Sequence, residues 1–120
     1  MHFKKIIDCP LYRTDILIEY GKAKKLGKKY SLKKIGTDFR DFPAATLRMK
    51  DNAITIIFNN KDDVRVSNVA HECVHVKNMV FADVGPFSNA DNDEHEAYFI
   101  SWLMDEILRI FTKKGVKVIS

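Results

Sequence analysis

The chain has 120 residues, enough for one hydrophobic core and too few for two, so we predict a single domain over residues 1–120. Its hydrophobic content of 46%, charged content of 30% and net charge of +4 are ordinary for a globular protein, and the charge alone indicates neither a nucleic-acid nor a membrane partner. Two cysteines exclude a disulfide framework, and no apolar run is long enough for a signal peptide or a membrane span. We therefore expect a cytoplasmic protein.

The first half of the chain predicts strands around a lysine-rich helix. Residues 15–20 mix β-branched and aromatic side chains, which is typical of a strand, and Gly21 closes it. Residues 22–34 then carry seven lysines in thirteen positions, with apolar residues at a spacing that favours a short exposed helix. Residues 36–43 are predicted to form a loop.

A β-hairpin is predicted next, from residues 44–50 and 53–59, because Asp51-Asn52 between them suits a tight turn. Side chains alternate across a strand, so the second strand presents its apolar residues to one side and is predicted to have one buried face. That face comprises Ile54, Ile56 and Phe58.

Two long helices are predicted in the second half of the chain. The first is apolar over most of its circumference, which predicts a central position, and Gly85-Pro86 ends it. The second runs from about residue 91 to 114, with Gly115 in the position of a left-handed cap, and residues 116–119 follow as a short strand or packed tail. The predicted core face of the second helix comprises Ala97, Ile100, Ser101, Met104, Ile107, Leu108 and Phe111, extended by Phe99, Leu103 and Ile110.

The most specific motif is His71-Glu72-Cys73-Val74-His75, an HExxH signature within the first long helix. A helix turns about 100° per residue, so histidines four apart lie on one face, one turn above each other. Two neutral imidazoles so placed can chelate one zinc ion, and the Glu72 carboxylate can reach a water in the metal's open position. The alternative is a chance match, with two ordinary helical histidines and a solvent-facing Glu72.

A catalytic zinc site normally has three protein ligands and a water, so this motif needs a third ligand. Candidates lie together at the start of the second helix, which a return of the chain could bring over the first. Glu94 is the preferred ligand, separated from His75 by eighteen residues, with His95 or Glu96 as alternatives.

Residues 91–94 also have a structural interpretation. In a capping pattern, Asp91 caps the helix and Glu94 reaches back to the chain. Asp91 or Asp93 could instead accept a hydrogen bond from the N–H of a ligand imidazole.

The spacing of His71, Glu72, His75 and Glu94 resembles that of the gluzincin zinc metallopeptidases. The surroundings of Glu94 are also similar to that family, with an acidic residue before it, and the small Ala97 and the aromatic Tyr98 after it; the motif resemblance covers residues 67–98. The chain as a whole, from a strand at Pro10-Leu11-Tyr12 onward, resembles small phage-encoded metallopeptidases of about this length.

The resemblance implies that His71, His75 and Glu94 bind one zinc ion per chain, and that Glu72 is the general base that takes a proton from the water on the zinc. It implies that the strand 53–59 is the edge strand that holds an extended substrate by backbone hydrogen bonds. The chain has no room for the C-terminal subdomain of larger gluzincins, so the residues that usually stabilise the oxyanion are missing or replaced. Tyr98 and His95 are the nearest candidates for that catalytic role.

The other chemistry-bearing residues have simpler interpretations. Cys73 points about 200° away from His71 and is predicted to be a buried core thiol. Cys9 is an ordinary free thiol, His2 is terminal and unstructured, and Trp102 packs in the core. Residues 22–34 form a solvated helix face, because few aromatics are interleaved for stacking, although they could be a nucleic-acid footprint.

Together these features predict an α+β, zincin-like minimal domain, in which a small twisted sheet packs on the metal-motif helix with the second long helix behind it. The expected function is a zinc-dependent metallopeptidase, a hydrolase that acts on a peptide or protein substrate, in the host cytoplasm if the protein is phage-encoded. The alternative is a zinc-stabilised binding or structural module that acts on a host factor by binding alone. Neither a membrane nor nucleic acid is the expected partner.

Overall fold

The computed structural model describes residues 1–9, 12, 14–36, 38–84 and 94–120. Its main feature is a mixed sheet of four strands, β1 (Phe3–Cys9), β2 (Thr14–Gly21), β3 (Ala44–Arg48) and β4 (Ile54–Asn59). The order is β1-β2-β4-β3, with β2 and β4 parallel and the outer pairs antiparallel. The predicted hairpin between β3 and β4 is confirmed, and Asn52 in its turn takes the left-handed conformation, with φ of 66°.

The beginning of the chain departs from the prediction. β1 is a strand that the sequence did not predict, because Lys4, Lys5 and Ile6 are all exposed and interrupt the alternation. Of the predicted strand at residues 10–12, Pro10 and Leu11 lie outside the described residues. Tyr12 lies in a turn instead, where its backbone N–H donates to the Cys9 carbonyl at 3.3 Å.

Strand β4 is buried on both faces. All six of its residues are buried, so the prediction of a single buried face is wrong. β4 also lies between β2 and β3, so the prediction that it is an edge strand is wrong too, and β3 occupies that edge. A strand covered on both sides carries a nearly continuous apolar run, which is the pattern of residues 54–58.

Two long helices, α2 (Val66–Val84) and α3 (Glu94–Lys113), cover one face of the sheet. Phe81 near the end of α2 contacts Phe99 near the start of α3, with ring centroids 5.8 Å apart, so α3 turns back along α2. At the other end of α3, Phe111 contacts Phe58 of β4 edge to face, with centroids 5.0 Å apart. The predicted α+β fold is confirmed.

The predicted core face of α3 is confirmed for Phe99, Leu103, Ile107 and Phe111, but the buried face of this helix also includes a charged residue, Glu96. Ala97 and Ser101, which were predicted in the core, are exposed, and Trp102 is only partly buried. Glu96 was not predicted on this face because it is charged. Its carboxylate lies in the interface between the helices beside Lys77 of α2, with Oε1 3.3 Å from Nζ.

The opposite face of the sheet is covered by α1 (Ala23–Lys29) and two 3-10 helices, Leu32–Ile35 and Phe39–Asp41. These elements form a second, smaller core with β4, made of Leu26, Leu32, Phe39 and Ile57. The predicted exposed helix is confirmed, since only Leu26 of α1 is buried. The predicted loop at 36–43 contains the second 3-10 helix.

The end of the chain follows the prediction. Gly115, with φ of 75°, follows α3 in the left-handed conformation. A short strand β6 (Val118–Ile119) then pairs in parallel with β5 (Val64–Arg65), just before α2. Within the described residues, no helix has the length and apolar character needed to cross a membrane.

The prediction that His2 is unstructured is wrong, because its side chain has a defined partner. Its Nε2 contacts Oε2 of Glu19, whose side chain is fully buried and also accepts hydrogen bonds from Lys29 and Tyr30. A Cβ on Gly21 would lie 2.7 Å from the His2 ring, so the glycine gives that ring its room. Burial raises the pKa of Glu19, but the hydrogen bonds from these three side chains outweigh it and hold the pKa below its ordinary value.

Candidate metal site

Helix α2 holds His71 and His75 on its exposed side, one turn apart. Their Nε2 atoms are 3.1 Å apart, and their ring centroids are 4.8 Å apart. Two imidazole nitrogens that share a tetrahedral zinc ion at about 2.0–2.1 Å lie about 3.3 Å from each other. The 3.1 Å separation is that of a hydrogen bond between the two imidazoles, and it is also close to the spacing that a shared zinc ion would require.

The exposure of this site corrects one expectation. α2 was predicted to be apolar around most of its circumference, but it has a distinct solvent-facing side that includes His71, Val74, His75 and Asn78. Val74, which precedes His75 in the sequence, is 41% exposed. Because this valine is apolar but faces the solvent, the sequence made the apolar face of α2 look wider than it is. Both histidines of the motif therefore lie at the surface.

Glu72 faces away from the solvent. It is 5% exposed, and its Oε1 accepts a hydrogen bond from Oγ1 of Thr46 at 2.8 Å. On a helix it lies about 60° from His75 and about 100° from His71, on the flank that faces β3. The alternative of a solvent-facing Glu72 is thus wrong, whereas its role as a base stays a prediction.

The edge strand β3 lies along α2 beside this motif. Thr46 contacts Glu72, and two residues later Nη2 of Arg48 donates to the Met79 carbonyl at 3.0 Å. Residues two apart share a face of a strand, so these side chains attach one face of β3 to the helix. In the described part of the chain, β4 is the only strand that pairs with β3.

The predicted third ligand, Glu94, is exposed at the first position of α3. Among the residues that the structure describes, no three His, Cys, Asp or Glu side chains form a group able to hold a metal ion, so Glu94 is not grouped with His71 and His75. Asp91 and Asp93 lie outside the described ranges. The roles predicted for Glu94 as ligand and for both aspartates as cap or hydrogen-bond acceptor stay predictions.

The alternative residues on α3 have different surroundings. Glu96 is buried against α2 and pairs with Lys77. His95 is exposed, and Tyr98 is 68% exposed. Among the described residues, no contact of Tyr98 or His95 bears on oxyanion stabilisation, and that role stays a prediction for both.

Comparison of the chain with protein-family models, curated proteins and solved structures gave no match. The chemistry of the site is therefore argued from its residues and their geometry.

Neither cysteine contributes to the site. Cys73 is fully buried, and desolvation, followed by the nearby charge of Glu72, raises the pKa of its thiol to about 12. Cys9 is also buried, and burial raises its pKa. The thiolate is the form that binds metals and attacks electrophiles, so burial disfavours both reactions. The predictions that Cys73 is a buried core thiol and that Cys9 is a free thiol are confirmed.

Thr46 is the residue of this region that the sequence did not indicate. A threonine in a hairpin strand is ordinary, since β-branched residues favour strands. Its contact with Glu72 joins residues 26 positions apart and follows from the packing of β3 against α2. The only available signal was its position in a strand predicted to lie next to the motif helix.

Proposed function

We propose that the protein is a zinc-dependent metallopeptidase with a zincin-like fold. The observation that carries the proposal is the convergence of the His71 and His75 Nε2 atoms, 3.1 Å apart, on the exposed side of a helix whose buried flank holds Glu72. Two imidazoles and an adjacent carboxylate are the donor and base set of metal-assisted peptide hydrolysis.

His71 and His75 would hold the metal through their Nε2 atoms, and Glu94 is the proposed third ligand. A bound zinc ion supplies Lewis-acid chemistry, since it makes a water more acidic and polarises a carbonyl. Imidazole and carboxylate donors fit zinc, and the exposed position of both histidines would leave space for a substrate beside a bound ion.

Glu72 is the proposed general base. The hydrogen bond from Thr46 occupies Oε1 and fixes the carboxylate, so Oε2 is the oxygen that would accept a proton from the attacking water. The same oxygen would return the proton to the amine that leaves after the peptide bond breaks. A positioned carboxylate can perform both transfers without moving far, because both occur beside the same carbonyl carbon.

The proposed substrate is an extended peptide that pairs with the outer edge of β3. Strand addition of this kind uses backbone hydrogen bonds for affinity and works with many sequences. β3 replaces the strand 53–59 in this role, because the latter lies inside the sheet. Since Thr46 of β3 contacts Glu72, a peptide on this edge would lie near the proposed base.

The test is hydrolysis of a quenched fluorescent peptide library by zinc-loaded wild type, Glu72→Gln and Glu72→Asp. We expect Glu72→Gln to lower kcat by about 10²–10⁴-fold while zinc content is unchanged, and Glu72→Asp to retain part of the activity. Full activity of Glu72→Gln with zinc bound would show that the proposed base is wrong.

A second candidate is a zinc-stabilised binding module without catalysis. The burial of Glu72 and its bond to Thr46 favour it, because a structural glutamate would have the same contacts. In that case zinc would raise the Tm of wild type and Glu72→Gln equally, and neither protein would cleave the library.

A further inference from the structure

The positive charge of the protein is concentrated in one segment. Residues 22–40 contain eight of the 20 basic residues and one of the 16 acidic residues, a net charge of +7, which leaves −3 for the rest of the chain. This segment forms α1 and the two 3-10 helices, on the opposite face of the sheet from α2. The charge is therefore separated from the candidate metal site by the sheet.

These elements enclose a groove with a volume of about 370 Å³. Its rim carries Lys24, Lys28, Lys33 and Lys34. Gly27 and the buried Phe39 lie in its wall, and among the described residues Asp38 is the one acidic residue that lines it. The groove thus combines an apolar interior with a cationic rim.

The four rim lysines are available for a partner. Two other cations of the segment are occupied: the Lys29 Nζ donates to Glu19 at 2.9 Å, and the Arg40 side chain forms two hydrogen bonds with Asp38, at 3.0 and 2.9 Å. Within the described part of the chain, no rim lysine forms an ion pair. Four unpaired ammonium groups around one opening attract anions.

Gly27 keeps the groove open. It lies inside α1, where glycine is less favourable than alanine, and a Cβ there would meet Phe39 Cβ at 3.9 Å, an ordinary contact. The backbone therefore does not require glycine at this position. A larger side chain at residue 27 would extend toward Phe39 and take up part of the groove.

We propose that this groove binds an acidic peptide segment, with one large apolar side chain inserted between the lysines and carboxylates of the peptide paired with them. A cavity of about 370 Å³ has room for one such side chain with its backbone. The lysine ammonium is a compact point charge, so it can bind a carboxylate without the fixed planar geometry that a guanidinium requires.

The groove fits nucleic acid less well. The Arg40 guanidinium, which would suit a phosphate, already binds Asp38. The ring of Phe39 is 2% exposed and offers no face on which a base can stack. A lipid surface is flat and would meet the rim without filling the interior.

The test measures fluorescence anisotropy of a labelled peptide in which glutamates and aspartates flank a single leucine, with a matched peptide that has alanine in place of leucine. We expect the leucine peptide to bind more tightly, and its affinity to fall as salt increases. Lys24→Glu/Lys28→Glu should weaken binding about tenfold or more, whereas Lys5→Glu/Lys50→Glu, with the same charge change outside the groove, should have a small effect.

Gly27→Leu distinguishes the contribution of the groove's shape to binding from that of its charge, because the leucine would occupy the groove while every lysine is kept. We expect it to abolish the preference for leucine over alanine, while circular dichroism shows a folded protein. Equal binding of both peptides, or no binding, would overturn the proposal. Tighter binding of an oligonucleotide or of phosphatidylserine vesicles than of the leucine peptide would overturn it as well.

Discussion

Thr46 donates a hydrogen bond from Oγ1 to Oε1 of Glu72 at 2.8 Å, and this contact joins the edge strand of the sheet to the motif helix. Glu72 is nearly inaccessible to solvent, so a carboxylate in this position depends on its protein partners. In the proposed enzyme, Thr46 is a positioning residue, because it orients the base without touching the substrate atoms that react. If the protein is such an enzyme, the hydrogen bond between Thr46 and Glu72 would contribute both to the stability of the fold and to the rate of hydrolysis.

Removal of the Thr46 hydroxyl should affect both properties. Thr46→Val keeps the shape but leaves Oε1 of Glu72 without this donor, so we expect the free energy of unfolding to fall by about 1–3 kcal/mol. If Glu72 is the base, kcat should fall while KM changes little, and Thr46→Ser should restore most of kcat. Urea unfolding and peptide hydrolysis measure the two effects, and an unchanged stability of Thr46→Val would contradict the contact.

The buried Glu19 should give the protein an acid-sensitive stability. Its pKa in the folded state is below the ordinary 4.5, so its contribution is complete above that pH and is lost as the pH falls through the folded-state pKa. Glu19→Gln should be less stable at pH 7, by about 1–3 kcal/mol, and its stability should depend less on pH below 4.5.

Urea unfolding of both proteins across the acid range checks this expectation. Asp38→Asn is the matched control, because Asp38 also has a lowered pKa, of about 2, held there by hydrogen bonds from Arg40. Its ion pair is exposed and should contribute little to stability. An equal acid dependence of wild type and Glu19→Gln would contradict the role of Glu19.

Gly27→Ala should stabilise the protein. The residue lies inside α1, the added methyl would fit at 3.9 Å from Phe39 Cβ, and alanine restricts the unfolded chain more than glycine does. We expect a gain of about 0.5–1 kcal/mol, visible as a Tm higher by about 2–6 °C. A lower Tm would mean that the groove wall has no room for a Cβ.

The third ligand can be identified by zinc affinity. Glu94→Ala should weaken zinc binding about tenfold or more in a chelator competition assay, because a site with two imidazoles loses its carboxylate. Glu106→Ala on the same helix, whose carboxylate pairs with Arg109, is the control and should bind zinc normally. If Glu96→Ala or His95→Ala lost affinity instead, the ligand would be that residue.

The sequence predicted those features that depend on neighbouring residues. The HExxH helix, the Asp51-Asn52 hairpin and the Gly115 cap each follow from local spacing or turn chemistry, and all three are present. The position of β4 could not be predicted in this way. Its parallel pairing with β2 joins strands separated by α1, two 3-10 helices and β3, and only that pairing places β4 inside the sheet.

Buried carboxylates caused two further errors. Glu96 lies on the buried face of α3 beside Lys77, and the apolar pattern alone did not place a charged residue on that face. His2 is held by Glu19, 17 residues away along the chain. For the site, the sequence predicted that His71 and His75 share a face, whereas the contact of Glu72 with Thr46 required the tertiary packing.

The most direct test of the account is the zinc content of the purified protein by plasma mass spectrometry, compared with His71→Ala and His75→Ala. The 3.1 Å separation of the two Nε2 atoms predicts one zinc ion per wild-type chain and its loss in both variants, with all three proteins folded. Wild type without zinc after reconstitution, or zinc retained in both variants, would contradict the metal site and with it the proposed function.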